Sequence, residues 1–309
     1  MSGRITGVAG TGRTTLRHHH PATPYLFAAP YVVLLLAFLV GPAIFGIWMS
    51  LHNWDFMLPG KPWVGLQNYR DLFDSGSVLF HPFWNGMKNT FLFVLMSVPF
   101  LVLIPLGLSL LLNRKFRGRT FFRAVVFTPF VLGVAVVGLI FGYLFDPAVG
   151  LINGILDGIG LPKVSWLSAQ PQAWITITVM TIWWTIGFNA VIFLAGLQGL
   201  PEQLYEAAEL DGAGRWGQFR HVTVPGLRNV FLFVVTTTIL ASANLFGQPY
   251  ILTKGGPGDS TTTAIMAMTN EGLRGFRMGS AAAMSYMLAL ALAIISVANF
   301  LIMRERKPS

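Results

Sequence analysis

The sequence predicts an all-α integral membrane protein with six transmembrane helices, and three observations predict it. Mean hydropathy is +0.62, and 54% of residues are hydrophobic against 11% charged, where soluble domains carry about 25% charged residues. The charges are also clustered: Asp, Glu, Lys and Arg are missing from 18–54, 89–113, 124–145, 164–201, 229–253 and 278–303. Each of these windows exceeds the roughly 20 residues that carry a helix across a bilayer core.

The first window, trimmed of its polar start, gives a helix over 26–51, preceded by a tail at 1–25. That tail is polar and the apolar run behind it is too long for a signal-peptide core, so 26–51 is expected to remain in the membrane. His18, His19 and His20 lie in the tail beside no other metal-ligand type and are expected to be a solvated polar run. The second and third windows are taken as single helices; Pro42 in the first window, Pro105 in the second and Pro129 in the third mark tolerated kinks. The Pro-rich fourth window is trimmed to 172–197. The fifth and sixth are taken whole, leaving a tail at 304–309.

Orientation follows from the basic residues. Arg4, Arg13 and Arg17 lie in the first tail, and Arg114, Lys115, Arg117, Arg119 and Arg123 in the second loop. Arg215, Arg220 and Arg228 lie in the loop at 198–228, and Arg304, Arg306 and Lys307 after the last span. These leave only seven of the 21 Lys and Arg for the opposite loops. Positive loops favour the cytoplasm, which places both termini and the 198–228 loop there. The net charge of +9 thus requires no nucleic acid. The 114–123 cluster reads as a solvated, orienting loop compatible with anionic lipid headgroups.

Several chemistries are excluded. The absence of cysteine removes disulfides, thiol nucleophiles and cysteine-ligated metals. No span holds an ionisable residue at its centre, which argues against a proton-coupled carrier and against intramembrane hydrolysis. No G-x-x-x-x-G-K-[ST] loop is present to cradle a nucleotide. If transport through this chain is active, its energy enters from another polypeptide.

The segment at 200–225, LPEQLYEAAELDGAGRWGQFRHVTVP, is where that energy has a place to enter. Pro201 suits a first helical turn, Glu202 the positive helix end, and Gly212 and Gly214 a left-handed stop. Leu204, Ala207, Ala208 and Asp211 share one face at 3/4 spacing. The alanines allow a partner backbone to approach, and Glu206, Glu209 and Asp211 offer polar grip. Residues 215–220 read as a second short amphipathic piece ending before Pro225. An interfacial helix on the lipid surface is the ordinary alternative, disfavoured because acids face an anionic surface.

Glu206-Ala207-Ala208-x-x-x-Gly212, with Val222-x-Val224-Pro225 beyond it, resembles the EAA signature of permease subunits of binding-protein-dependent ABC importers. Val222 and Val224 stand where that family usually has Ile and Leu. Further matches follow in order: Trp63-Val64-Gly65-Leu66-Gln67-Asn68-Tyr69, Asn89-Thr90, the basic 113–123 loop with Thr128-Pro129, Leu194-Ala195-Gly196-Leu197-Gln198, and Leu252-Thr253-Lys254-Gly255-Gly256-Pro257-Gly258. The last resembles an external loop of the carbohydrate branch, and the likeness covers about 25–305. It implies a compact six-helix permease domain over 26–303 with a cytoplasmic coupling helix, in which Glu206, Ala207, Ala208 and Gly212 engage the ATPase. Asp211 and Arg215 join them by position. It also implies a second, nonidentical permease subunit, two ATP-binding subunits that use ATP and Mg, and a periplasmic or lipid-anchored solute-binding protein. This chain itself would bind no cofactor and catalyse nothing.

A sugar is held by neutral polar groups and aromatic faces, so the pathway candidates are Trp184, Phe188 and Asn189 in the fourth span, with Trp183 beside them, and Asn244 and Gln248 in the fifth. Interhelical bonding is the ordinary role of such amides, and Trp183 and Trp184 also suit packing or an aromatic belt. A glycerol-phosphate permease of the same family is the nearest alternative; its anionic solute would draw on Lys254, Arg274 and Arg277. An ATP-independent carrier or channel is the alternative of a different class. The glycine-rich 255–258 loop reads as a turn rather than a phosphate nest. The aromatics at 54–84 read as anchors of an interfacial segment.

Overall fold

The computed structural model describes residues 23–304, so most of both tails, with Arg4, Arg13, Arg17 and the three histidines, lies outside the described residues. The chain divides into two units at Gly46. The first is carried by α1 (Thr23–Leu35), a π-helical turn at Leu36–Val40, and the start of α2 (Gly41–Ser50). Together they form an apolar stretch at Tyr25–Ser50, 26 residues long, about 39 Å at 1.5 Å per residue. Pro42 has no N–H to continue the α-helical ladder. Just before it the Gly41 N–H bonds to the Leu36 carbonyl, the wider pattern of a π turn.

The second unit contains α3 (Gln67–Asp71), α4 (Phe80–Asn113), α5 (Arg119–Val131), α6 (Val134–Leu144), α7 (Leu151–Gly158) and α8 (Gln172–Gln198). It continues with α9 (Glu202–Leu210), α10 (Arg215–Gln218), a π turn at Phe219–Thr223, α11 (Val224–Gly226) and α12 (Arg228–Ala243). Then come α13 (Gly247–Leu252), α14 (Ala264–Thr269), a π turn at Asn270–Arg274 and α15 (Met278–Arg304). No strand occurs among the described residues. The most extensive contact is α4 on α8; α12 and α14 also pack on α4, and α5 on α8.

Close approach depends on small residues, as in membrane bundles generally. A Cβ on Gly187 would overlap the Val126 carbonyl oxygen and lie 2.6 Å from Phe127 Cα. Replacing Gly187 by Val therefore forces α5 off α8. We expect a loss of about 1–3 kcal/mol, read as a lower Tm and poorer yield of monodisperse protein in detergent. Gly107→Val, at a site with open space around the added carbon, serves as the unaffected control.

The fourth, fifth and sixth windows agree with α8, with α12 followed by α13, and with α15. The second begins earlier than its charge-free window, because α4 runs unbroken through Lys88 for 34 residues. At about 51 Å it outruns a bilayer core of about 30 Å, long enough for Lys88 and the turns before it to lie beyond the hydrocarbon. The third window is not one helix. α5 and α6 meet at 96°, so among the described residues five helices are long and apolar enough to span, or six when this bent pair counts as one. Pro129 weakens the end of α5, and Leu132 and Gly133 are extended, with ψ of 141° and 147°. The fifth window is interrupted too, between Ala243 and Gly247, where Phe246 has φ −140°.

The glycine-rich loop after α13 is a fastening. Lys254, Gly255, Gly258 and Asp259 all have positive φ, and a Cβ on Gly255 would strike Thr262 Oγ1. Asn89 Nδ2 donates to the carbonyls of Asp259 and Thr262, both at 3.0 Å, and Trp174 Nε1 donates to that of Ser260 at 3.1 Å. These bonds hold the loop across α4 and α8. The aromatic segment before α4 is fastened similarly: buried Asn68 donates to the Ser50 carbonyl at 2.7 Å and the His52 carbonyl at 3.0 Å.

Candidate functional site

A cavity of about 420 Å³ opens where α4, α8 and α12 converge with the two interrupted helices, within the usual range of small-molecule sites. Phe130 and Val134 flank the break between α5 and α6, and Asn244, Leu245, Phe246 and Gly247 form the break before α13. The two breaks pack on each other, since a Cβ on Gly247 would lie 2.9 Å from Val134 Cγ2. The carbonyls they free are capped by side chains. Trp184 Nε1 donates to the Leu132 carbonyl at 2.9 Å, and Thr263 Oγ1 to the Leu245 carbonyl at 2.7 Å. Interrupted helices beside a cavity are how membrane proteins place irregular backbone without exposing it to lipid.

The structure brings Trp184, Phe188, Asn189, Asn244 and Gln248 together on this wall. Asn189 does interhelical work: its Nδ2 donates to the Leu101 carbonyl of α4 at 2.8 Å and to Thr238 Oγ1 of α12 at 3.2 Å. Phe188 stacks on Phe130 with centroids 5.0 Å apart. Asn244, at the end of α12, is exposed and donates back to the Leu240 carbonyl at 2.8 Å, leaving its amide oxygen uncommitted by that bond. Gln248 is buried, with 8% exposure. Trp183 lies off the cavity, tilted on Phe141 at 5.5 Å.

Sequence reasoning missed the hydroxyls. Thr181, Thr185 and Thr237 line the cavity and donate to the carbonyls of Ile177, Thr181 and Phe233, each at 2.8 Å. Each hydroxyl thereby keeps lone pairs free to accept a hydrogen bond. Their signal was present in the threonine run at 236–238 and the i, i+4 pair Thr181 and Thr185, but helical threonines commonly bond their own backbone. Among the described residues no Asp, Glu, Lys, Arg or His lines the cavity. Amides and hydroxyls among aromatic faces suit a neutral ligand rich in hydroxyl groups; an anion would find no cation there.

Of the candidate cations, Arg277 and Arg274 are engaged elsewhere. Arg277 Nε and Nη2 meet the buried Glu271 carboxylate at 2.6 Å each, and Ser280 Oγ donates to the same carboxylate at 2.6 Å. The Glu271 hydrogen bonds hold the Arg277 guanidinium above its usual pKa. Arg274 sits 3.3 Å from the Tyr250 hydroxyl. Lys254 is exposed on the positive-φ loop.

The second candidate region is the helix α9. Pro201 is extended at φ −60°, ψ 132°, and Glu202 opens the first turn. The other end is a Schellman cap. Gly212 is left-handed at φ +79°, its N–H bonds to the Glu209 carbonyl at 2.9 Å, and the Ala213 N–H bonds to the Ala208 carbonyl at 2.9 Å. The helix contains no buried residue. Glu206, Ala207, Asp211, Gly212 and Arg215 are all exposed, and Ala208 is half-buried. Leu210 and Trp216 project at 90% and 72% exposure. Among the described residues no ion pair engages Glu206, Glu209, Asp211 or Arg215. The contacts that fasten the region include Tyr205 Oη, 3.0 Å from Thr223 Oγ1, and Leu200, which covers Gly226, where a Cβ would meet it at 2.6 Å. Beyond that attachment α12 runs 16 residues, about 24 Å, to the break at Asn244.

Residues 75–304 match the family model described as the binding-protein-dependent transport system inner membrane component. The lactose transport system permease protein LacF of Rhizobium radiobacter is 31% identical, over 97% of this chain and 100% of its own length. The trehalose/maltose transport system permease protein MalF of Thermococcus litoralis is 30% identical, over 91% and 94%. A chain from the crystal structure of a bacterial ABC transporter involved in the import of alginate, an acidic polysaccharide, superposes with a TM-score of 0.79 at 24% identity, covering 92% of this chain and 96% of its own; at that identity it speaks for the fold. With the family model spanning most of the chain and relatives matching nearly their whole length, this protein belongs to the family of binding-protein-dependent transport system inner membrane components.

Proposed function

We propose that this chain is a permease subunit of an ATP-driven importer that moves a neutral sugar across the bacterial cytoplasmic membrane. In this reading α9 engages a partner ATPase on the cytoplasmic side through Glu206, Ala207, Ala208, Asp211, Gly212 and Arg215. ATP and Mg are used by two such ATP-binding subunits, a second, nonidentical permease completes the pathway, and a periplasmic or lipid-anchored binding protein delivers the solute. The permease domain covers 26–303, and both termini are cytoplasmic.

The observation that carries this reading is α9 itself. An acidic helix that buries nothing and, among the described residues, pairs none of its charges contributes little to the fold of its own chain, and its exposed Leu204 and Leu210, with Trp216 of α10 beyond them, offer apolar anchors to a partner. The sugar transport named for LacF and MalF and the charge-free cavity support the solute class. They disfavour glycerol phosphate, because Arg277 is already paired and no cation among the described residues lines the cavity.

Purification from the native membrane tests it. The chain is expected to bring an ATPase and a second permease, and the complex in proteoliposomes with its binding protein is expected to take up neutral sugar only with ATP. A chain that purifies alone and equilibrates solute without ATP defeats the proposal; uptake of glycerol phosphate in place of sugar defeats the solute class. Sidedness has its own readout: a reporter fused near Gly212 is expected to read cytoplasmic and one near Gly256 external.

A further inference from the structure

We infer that the Tyr205 and Thr223 hydroxyls form a latch that carries movement of α9 into α12, and so to the cavity; this rests on reading α9 as the coupling element. Tyr205 is then a positioning residue. It touches no solute, but sets where the coupling helix stands relative to the span that lines the pathway.

The polar faces of α9 are free, so a force on that helix leaves it only through its attachments. Leu200 against Gly226 is an apolar contact that resists compression but has no direction. The bond between Tyr205 Oη and Thr223 Oγ1, at 3.0 Å, is directional and responds to pull as well as push. Thr223 is buried, at 4% exposure, and its Oγ1 lies 3.4 Å from the Gln218 carbonyl, to which it can donate. Its oxygen is therefore placed to accept from Tyr205.

Thr223 also occupies an unusual position in the backbone. It closes the π turn Phe219–Thr223, in which the Val224 N–H reaches the Phe219 carbonyl. Such a turn holds one residue more than an α turn, and π turns recur at functional positions. The Thr223 carbonyl accepts from Leu227 at 3.0 Å, and the Leu227 carbonyl accepts from Phe231 at 2.8 Å, so Thr223 leads directly into α12. Leu227 is fully buried against the α8 residues Phe193 and Leu197. At its far end α12 presents Thr237, Thr238, Ser242 and Asn244 to the cavity. The latch thus joins α9 to a rod whose other end forms the cavity wall.

A claim of transmitted motion requires coupling evidence, which a double-mutant cycle supplies. The complete transporter in proteoliposomes is compared as wild type, Tyr205→Phe, Thr223→Val, the double variant and Thr223→Ser, reading solute imported per ATP hydrolysed. Each of Tyr205→Phe and Thr223→Val is expected to lower that ratio about fivefold, the factor equivalent to one net hydrogen bond. The double variant is expected to be no worse than either single, and Thr223→Ser, which keeps the hydroxyl, to stay near wild type. ATPase co-purification is expected to be unchanged throughout. Normal ratios in both singles, or losses that multiply in the double, overturn the latch. Wild-type uptake that needs no ATPase overturns the reading of α9 instead, and no variant result can imitate that.

Discussion

Gly212→Pro is expected to abolish ATP-driven uptake while leaving the apolar helices inserted and the chain at normal abundance. Gly212 stands at φ +79°, and proline is fixed near −65°. The substitution also deletes the N–H that reaches the Glu209 carbonyl at 2.9 Å. It further restricts Asp211, now at φ −74°, ψ 2°, because a residue before proline is driven out of the helical region. The whole Schellman cap is lost, because proline can neither adopt the left-handed backbone nor donate the capping hydrogen bond. The end of α9 then unwinds and Asp211, Arg215 and Trp216 leave their places together. Nothing else should suffer, since α9 contributes no buried residue.

Gly212→Ala separates conformation from contact. The space around an added Cβ is empty, so its only penalty is the left-handed backbone, about 1–2 kcal/mol. A partial loss of uptake is expected there and a complete one with proline, graded alongside co-purification of the ATPase. Full uptake and ATPase association by Gly212→Pro would remove α9 from the coupling role.

Much of this was legible because the physics is local. Pro201, the acids after it and Gly212 mark the bounds of α9 to within a residue, since a proline start and a left-handed glycine stop act within one turn. The charge-free windows located the spans because bilayer thickness acts on hydropathy over about 20 residues. What hydropathy cannot register is an apolar break. Leu132 and Leu245 are as oily as their neighbours, and the broken backbone around them is held by Trp184, 52 positions away from Leu132, and Thr263, 18 from Leu245. The kink expected at Pro129 is a 96° turn for that reason. The amides of the site were legible because Asn and Gln in a span demand a partner or water. The threonine hydroxyls were not, since bonding to the i−4 carbonyl hides them among ordinary helical threonines.

Ala241→Trp is expected to stop uptake as completely as Gly212→Pro, by a different route. Ala241 lies on the cavity face of α12 and is exposed, so a larger side chain there enters open space rather than the packed core. An indole would occupy a large part of the cavity's 420 Å³ and leave no room for a solute beside Trp184 and Phe188. Because α9 is untouched, ATPase association should be normal, and binding-protein-stimulated hydrolysis should continue without import. That pattern distinguishes a blocked path from a broken coupling helix. Phe233→Trp, on an exposed aromatic outside the cavity lining, should import normally. Gln248→Leu grades the effect. It removes an amide but no volume of consequence, so it should raise KM with kcat largely kept, as loss of uniform binding does. The expected rise is about five- to tenfold, the worth of about one hydrogen bond. Normal uptake by Ala241→Trp would show that solute does not pass this wall, and the neutral lining of amides and threonines would then be packing alone.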